Sequence, residues 1–117
     1  MELLIQVYVK FIHKHNAEPV HGGNYSARLY DKDILTDDFL GESKLNSEGK
    51  AHFKIDPKQY RTEDSLLETK PDFYITLLKE GLQIFKTPVA QNIDFNIQGN
   101  FNSKEGEWID LGTFVIE

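Results

Sequence analysis

The stretch LLIQVYVKF, residues 3–11, alternates apolar and polar side chains with a period of two. One side of the extended chain carries Leu3, Ile5, Val7, Val9 and Phe11, and the other carries Gln6, Tyr8 and Lys10. Successive side chains of a β-strand point to opposite faces, so this pattern predicts a strand with one buried face. We therefore expect a sheet that covers an apolar core.

The same period recurs along the rest of the chain. Tyr25, Ala27 and Leu29 alternate with polar neighbours, and further strands are predicted over residues 39–44, 51–55, 73–77, 82–87, 93–97 and 108–116. Glu80-Gly81 predicts a hairpin, and Asp56-Pro57 predicts a short helical turn in the 56–71 crossover. Seven or eight short strands with little helix indicate an all-β fold, a two-sheet antiparallel β-sandwich that forms a single domain over residues 1–117.

Composition narrows the classes of function. The chain has 39% hydrophobic residues, 27% charged residues, a net charge of −6 and no cysteine. Disulfides and thiolate metal sites are thereby excluded, and an acidic surface disfavours nucleic acid as a partner. The N-terminal residues MELLIQVYVK are a poor signal peptide, which together with the lack of cysteine favours the cytoplasm without fixing the localisation.

Several short motifs occur in an order typical of one family of sandwiches. They are Ala17-Glu18-Pro19-Val20, then Ala27-Arg28-Leu29-Tyr30-Asp31-Lys32-Asp33, then Asn46-Ser47-Glu48-Gly49-Lys50-Ala51-His52-Phe53, and finally Asp110-Leu111-Gly112-Thr113. In this order the chain resembles the transthyretin-like, or prealbumin-like, β-sandwich. The resemblance implies roles that range from hormone carriage to hydrolysis of 5-hydroxyisourate.

The hydrolase role requires a first-strand histidine and a C-terminal Tyr-Arg-Gly-Ser motif. This chain has Val7-Tyr8-Val9 in its first strand and ends in Thr113-Phe114-Val115-Ile116-Glu117. Nor does the sequence contain a G-x-S-x-G or H-E-x-x-H motif. We therefore expect a non-enzymatic binding or interaction module rather than an enzyme.

An aspartate-rich loop supplies the sharpest candidate site. Asp31, Asp33, Asp37 and Asp38 fall within eight positions, and calcium prefers several charged oxygen ligands. The loop is similar to the third calcium loop of C2 domains, although one residue too few separates Asp33 from Asp38. The alternative interpretation is a polar loop at the rim of the sandwich, whose aspartates bond their own backbone.

Histidines and aromatic residues give two further candidate sites. His13 and His15 form an H-x-H pair suited to zinc or copper, with His21 and His52 elsewhere, but exposed loop histidines are the simpler interpretation. Four aromatic residues are candidates for a shallow ligand surface, or else for packing and subunit contacts: Tyr8, Tyr30, Tyr74 and Trp108.

The sequence thus predicts a transthyretin-like module that binds a protein or a small molecule, without a cofactor. The alternative is a calcium-dependent C2-like module that binds lipid or protein through the aspartates. A membrane is then a partner only where calcium bridges it to the acidic domain, and an oligomeric assembly stays open.

Overall fold

Eight β-strands make up most of what the computed structural model describes, namely residues 5–32, 36–56, 72–90, 100–102 and 106–117. They are β1 (Ile5–His13), β2 (Tyr25–Asp31), β3 (Asp38–Lys44), β4 (Lys50–Ile55), β5 (Phe73–Lys79), β6 (Leu82–Lys86), β7 (Asn100–Asn102) and β8 (Gly106–Ile116). The all-β prediction is confirmed. The strand predicted at 93–97 and all but Asp56 of the crossover with its helical turn lie outside the described residues.

The strands form two four-stranded sheets. Sheet I has the order β4-β1-β8-β7, and sheet II has the order β3-β2-β5-β6. The prediction of a wholly antiparallel sandwich needs one correction, because β1 and β8 are parallel neighbours. These two strands come from opposite ends of the sequence, so no tight hairpin dictates their relative direction.

The apolar core lies between the sheets and follows the alternation read from the sequence. Ile5, Val7, Val9 and Phe11 of β1 are each at most 1% exposed. Sheet II meets them with a second fully buried set, which consists of Ala27, Leu29, Ile75 and Leu77. Burial of each large aliphatic side chain stabilises the fold by about 1.5–3 kcal/mol, so the core fixes which face of β1, β2 and β5 points outward.

Two glycines shape the chain beside this core. Gly49 has a φ of 77°, and a Cβ at this position would clash with the carbonyl oxygen of Phe11. Gly112 has a φ of 109° and lies where the β1–β8 register shifts between Tyr8 and Lys10, so it marks a β-bulge. Asp110 Oδ1 accepts a hydrogen bond from Gly112 N at 2.8 Å and supports the bulge.

The hairpin predicted at Glu80-Gly81 is confirmed. It joins β5 to β6, and both residues have positive φ, 52° for Glu80 and 82° for Gly81. Such a turn matches the right-handed twist of the two strands. Within the described ranges, no helix has the length and apolar character needed to cross a membrane.

Candidate functional site

The outward face of sheet I gathers aromatic and charged side chains from three neighbouring strands. Cross-strand partners on β1 and β4 are Gln6 with Lys54, Tyr8 with His52, and Lys10 with Lys50. On the other side of β1, Trp108 and Asp110 of β8 are opposite Gln6 and Tyr8. We call this group the Tyr8 face: Gln6, Tyr8, Lys10, Lys50, His52, Lys54, Trp108 and Asp110.

Tyr8 is the centre of the aromatic part of this face. Its ring stacks on that of His52 with centroids 4.4 Å apart and planes 4° from parallel. Trp108 approaches Tyr8 edge-on, at 5.9 Å and 89°. Both arrangements are favourable for aromatic pairs, and cross-strand neighbours are close enough to adopt them. The Tyr8 face therefore has an ordered aromatic cluster rather than scattered rings.

Gln6 lies beneath these rings and holds them in place. Its side chain is on the outward face of β1, yet the residue is only 8% exposed. Gln6 Oε1 accepts a hydrogen bond from the Tyr8 hydroxyl at 3.2 Å and is 2.8 Å from His52 Nε2. Desolvation of the ring, and then the charge of Lys54, lower the pKa of His52 and favour its neutral form.

An open pocket adjoins the aromatic cluster. Its volume is about 380 Å³, within the range of small-ligand sites. The described residues that line it are Tyr8, Val9, Lys10, Lys50, Trp108 and Asp110. The pocket thus combines two aromatic rings with two ammonium groups and one carboxylate, a mixture that can bind a ligand with both an apolar and a polar surface.

The charges at this pocket are not balanced pair by pair. Lys10 and Lys50 are direct cross-strand partners. This arrangement is unfavourable because their two positive charges repel each other. Lys50 Nζ is 3.7 Å from Glu48, whereas Lys10 has no ion pair within the described part of the chain. Two cations therefore face one pocket of an acidic protein.

The outward face of sheet II carries a second aromatic cluster, in which the aromatic rings pack closely. Tyr30 and Tyr74 stack with centroids 5.2 Å apart, and Phe39 is 5.6 Å from Tyr30. Lys86 Nζ is 4.5 Å above the Tyr74 ring, and Tyr74 is only 6% exposed. We call this group the Tyr74 face: Arg28, Tyr30, Phe39, Glu42, Tyr74 and Lys86. The four aromatic residues that were candidates for a shallow ligand surface or for packing therefore lie on two different sheets.

The Tyr74 face also has a depression, but its charges are paired. The depression measures about 540 Å³ and is lined by Arg28, Tyr30, Phe39 and Glu42. Arg28 Nε donates to Glu42 Oε1 at 2.8 Å, and this hydrogen bond is the main reason that the pKa of Arg28 is raised. Here the charged groups pair with each other, whereas Lys10 of the Tyr8 face has no ion pair within the described ranges.

The aspartates predicted to bind calcium have structural contacts where they are described. Asp31 is 8% exposed, and its Oδ1 accepts a hydrogen bond from Asp72 N at 3.0 Å. Asp37 Oδ2 accepts from the Tyr74 hydroxyl at 2.5 Å. Burial of Tyr74, followed by this bond, raises the pKa of the Tyr74 hydroxyl.

These two carboxylates act on opposite faces of sheet II. Asp31 shares the inward parity of Ala27 and Leu29, whereas Tyr74, the partner of Asp37, faces outward. Asp38 is exposed and is the cross-strand partner of Asp31, and Asp33 lies outside the described residues. In the described ranges, no group of three or more His, Asp or Glu side chains converges as metal ligands would. The calcium site, with Asp33 among its ligands, stays a prediction.

The histidines separate into a loop group and one residue of the Tyr8 face. His13 ends β1, and its ring is 5.7 Å from that of His15 in the following turn. His21 is exposed in the next loop, while His52 is on β4. Sequence reasoning missed the partnership of His52 with Tyr8 and Gln6. The patterns QVYVK and KAHFK did place these residues on polar strand faces, but only the strand pairing brings them together.

Comparisons with known proteins establish the fold of the chain but not its function. No protein-family model and no curated protein matches the chain. A 9R-lipoxygenase from Cyanothece PCC8801 is similar over 97% of this chain and 16% of its own, with a TM-score of 0.56 and 17% identity.

A second solved structure is that of the dioxygenase domain of a dioxygenase carbohydrate-binding protein fusion from the cellulolytic bacterium Streptomyces sp. SirexAA-E. It is similar over 100% of this chain and 82% of its own, with a TM-score of 0.50 and 10% identity. The chain thus spans a small part of the lipoxygenase and most of the dioxygenase domain. At these identities the likenesses show a shared β-sandwich fold alone.

Proposed function

We propose that this chain is a non-enzymatic binding module, built on a transthyretin-like sandwich, that binds a small ring-bearing ligand at the Tyr8 face. The observation that carries the proposal is the pocket of about 380 Å³ beside Tyr8 and Trp108. Rigid aromatic side chains give a large contact area at low entropic cost, and polar groups around them orient the ligand. The Tyr8 face has both components.

The state of His52 supports binding rather than acid–base catalysis. One face of its ring is stacked on Tyr8, and its Nε2 is engaged by Gln6. A general base must reach the substrate proton, and His52 is not among the described residues that line the pocket; its contacts instead orient Tyr8. The two similar solved structures belong to enzymes, but below 25% identity they support only the fold.

A thermal-shift screen with ring compounds tests this proposal. The panel contains neutral sugars, uronic acids, benzoates and indoles, because ligand binding to the native state raises the melting temperature. We expect at least one class to stabilise the protein, and Tyr8→Ser to abolish the effect while Tyr30→Ser on the other sheet retains it. Stabilisation that survives both Tyr8→Ser and Trp108→Leu would place the binding site elsewhere and contradict the proposal.

A calcium-dependent C2-like module is the second candidate. It is favoured by the cross-strand pairing of Asp31 with Asp38, since directly opposed like charges are relieved by a bound cation. Millimolar calcium should then raise the melting temperature, and Asp38→Asn should remove the rise. An unchanged melting temperature, with no binding of anionic vesicles in calcium, would eliminate this candidate.

A further inference from the structure

We infer that the ligand of the Tyr8 face is an acidic carbohydrate, a sugar ring that carries a carboxylate. This inference rests on the proposed binding function and identifies the class of its ligand. Three features of the pocket point to it: the paired lysines, the aromatic wall and the single acid.

The lysines select an anion. Lys10 and Lys50 are cross-strand partners on the same outward face, and both line the pocket. Glu48 pairs with Lys50 at 3.7 Å, so Lys10 is the cation of this pair without an ion pair in the described ranges. An anion beside both ammonium groups offsets their repulsion. With two ammonium groups and one carboxylate among its described lining residues, the pocket attracts an anion more than the rest of a surface on a protein of net charge −6 does.

The aromatic wall selects a ring. Tyr8 and Trp108 are both partly exposed and line the same pocket as the lysines. The C–H face of a pyranose packs against such side chains, with its polar groups left at the ring edge. His52 and Gln6 hold the Tyr8 ring, which in turn contacts Trp108, so little conformational entropy is lost on binding.

Asp110 distinguishes a sugar acid from other anions. Its carboxylate lies in the same pocket as the lysines, with Oδ1 engaged by Gly112 N. Benzoate offers Asp110 no hydrogen-bond donor and leaves its carboxylate unsatisfied. Sugar hydroxyls donate to a carboxylate, so a uronic acid satisfies Asp110 and the lysines together.

The test compares trigalacturonate with its fully methyl-esterified form, which keeps the rings and loses the charge. A trimer of mannuronate serves as a second source of the same chemistry. Trp108 is the only tryptophan of the chain, so its fluorescence reports on this pocket alone. We expect at least one acidic trimer to change this fluorescence, and its ester to bind roughly tenfold more weakly because two partly exposed ion pairs are lost.

Variants assign the charge dependence to the pocket. Lys10→Gln/Lys50→Gln should weaken binding of the acid about tenfold and should weaken binding of the ester by much less, so that the preference for the acid over the ester is lost. The control Lys32→Gln/Lys44→Gln removes the same net charge outside the pocket and should bind as the unmodified protein does. Circular dichroism confirms that each variant is folded.

The outcomes separate this inference from the function on which it rests. Equal binding of acid and ester, or a loss of affinity in the Lys32/Lys44 control as large as in the Lys10/Lys50 variant, would overturn the acidic-sugar assignment and leave the binding function standing. If neither acidic trimer binds while another ring compound binds in a Tyr8-dependent manner, the assignment is also wrong. If no ring compound binds at the Tyr8 face, both proposals fail.

Discussion

The two outward faces of the sandwich carry similar aromatic clusters but differ in how their polar groups are used. On the Tyr74 face, Arg28 pairs with Glu42, the Tyr74 hydroxyl bonds Asp37, and Lys86 covers the Tyr74 ring. On the Tyr8 face, two lysines face each other beside a partly exposed aromatic wall. Stacked rings alone therefore do not identify a binding surface. The balance of the neighbouring charges distinguishes the two faces.

The largest expected difference between the faces is in stability. Tyr74→Ala removes a nearly buried ring and should lower the free energy of unfolding by about 3 kcal/mol. Tyr8→Ala removes a partly exposed ring and should cost about 1–2 kcal/mol. Urea-induced unfolding measures both values. Equal costs, or a larger cost at Tyr8, would mean that the Tyr8 face contributes to stability as the Tyr74 face does.

The bond between Tyr74 and Asp37 gives a smaller effect. Tyr74→Phe keeps the ring and deletes the hydroxyl that donates to Asp37 Oδ2. We expect a loss of about 1 kcal/mol in the free energy of unfolding, below the range of about 1.5–3 kcal/mol for a hydrogen bond to a charged group, because Asp37 is only half-buried.

The matched control for this change is Tyr25→Phe. Tyr25 lies at the start of β2 and is half-buried, and no hydrogen bond of its hydroxyl is found in the described part of the chain. The Tyr25→Phe variant should therefore lose almost no free energy of unfolding. Similar losses in Tyr74→Phe and Tyr25→Phe would mean that the bond to Asp37 does not stabilise the fold.

The smallest effect is a pH dependence at His52. Burial and the charge of Lys54 lower the pKa of His52 in the folded protein. At pH values between that lowered pKa and the ordinary pKa of about 6.5, the unfolded chain therefore binds more protons than the folded protein does. Stability from this group is therefore full above about pH 6.5 and is lost as the pH falls through the lowered pKa.

Unfolding curves across this acidic range measure the effect. His52→Gln should flatten the decline in stability, whereas His21→Gln, in an exposed loop, should leave it as it is in the unmodified protein. A decline that is equally steep in His52→Gln would show that other groups cause it. Proton NMR of the His52 ring gives its pKa directly, and a value at or above 6.5 would contradict the contacts described.

The fold was predictable from the sequence because a single physical signal determined it. The alternation in residues 3–11 and 50–55 specifies which side chains are buried, and most strand bounds follow from it. The parallel pairing of β1 with β8 was missed, because direction between distant strands depends on packing and leaves no local pattern.

The site was less predictable because it depends on the register in which β1 pairs with β4 and β8. Tyr8 and Trp108 were candidates for a ligand surface or for packing, and their link to His52, Lys10 and Lys50 exists only once β1 pairs with β4 and β8. The aspartates cluster in the sequence, which suggested one calcium site. Asp31 and Asp37 bond to different partners on opposite faces of sheet II, and the site with Asp33 among its ligands stays a prediction.

Mapping by NMR tests the central claim most directly, because both aromatic faces are observed in the same titration. As trigalacturonate is added, the account predicts that the Trp108 indole and Tyr8 ring resonances shift together and saturate. The Tyr30 and Tyr74 resonances should stay in place and serve as the internal control. Shifts confined to Tyr30 and Tyr74, or to the loop at Asp37 and Asp38, would contradict the assignment of the Tyr8 face as the binding surface.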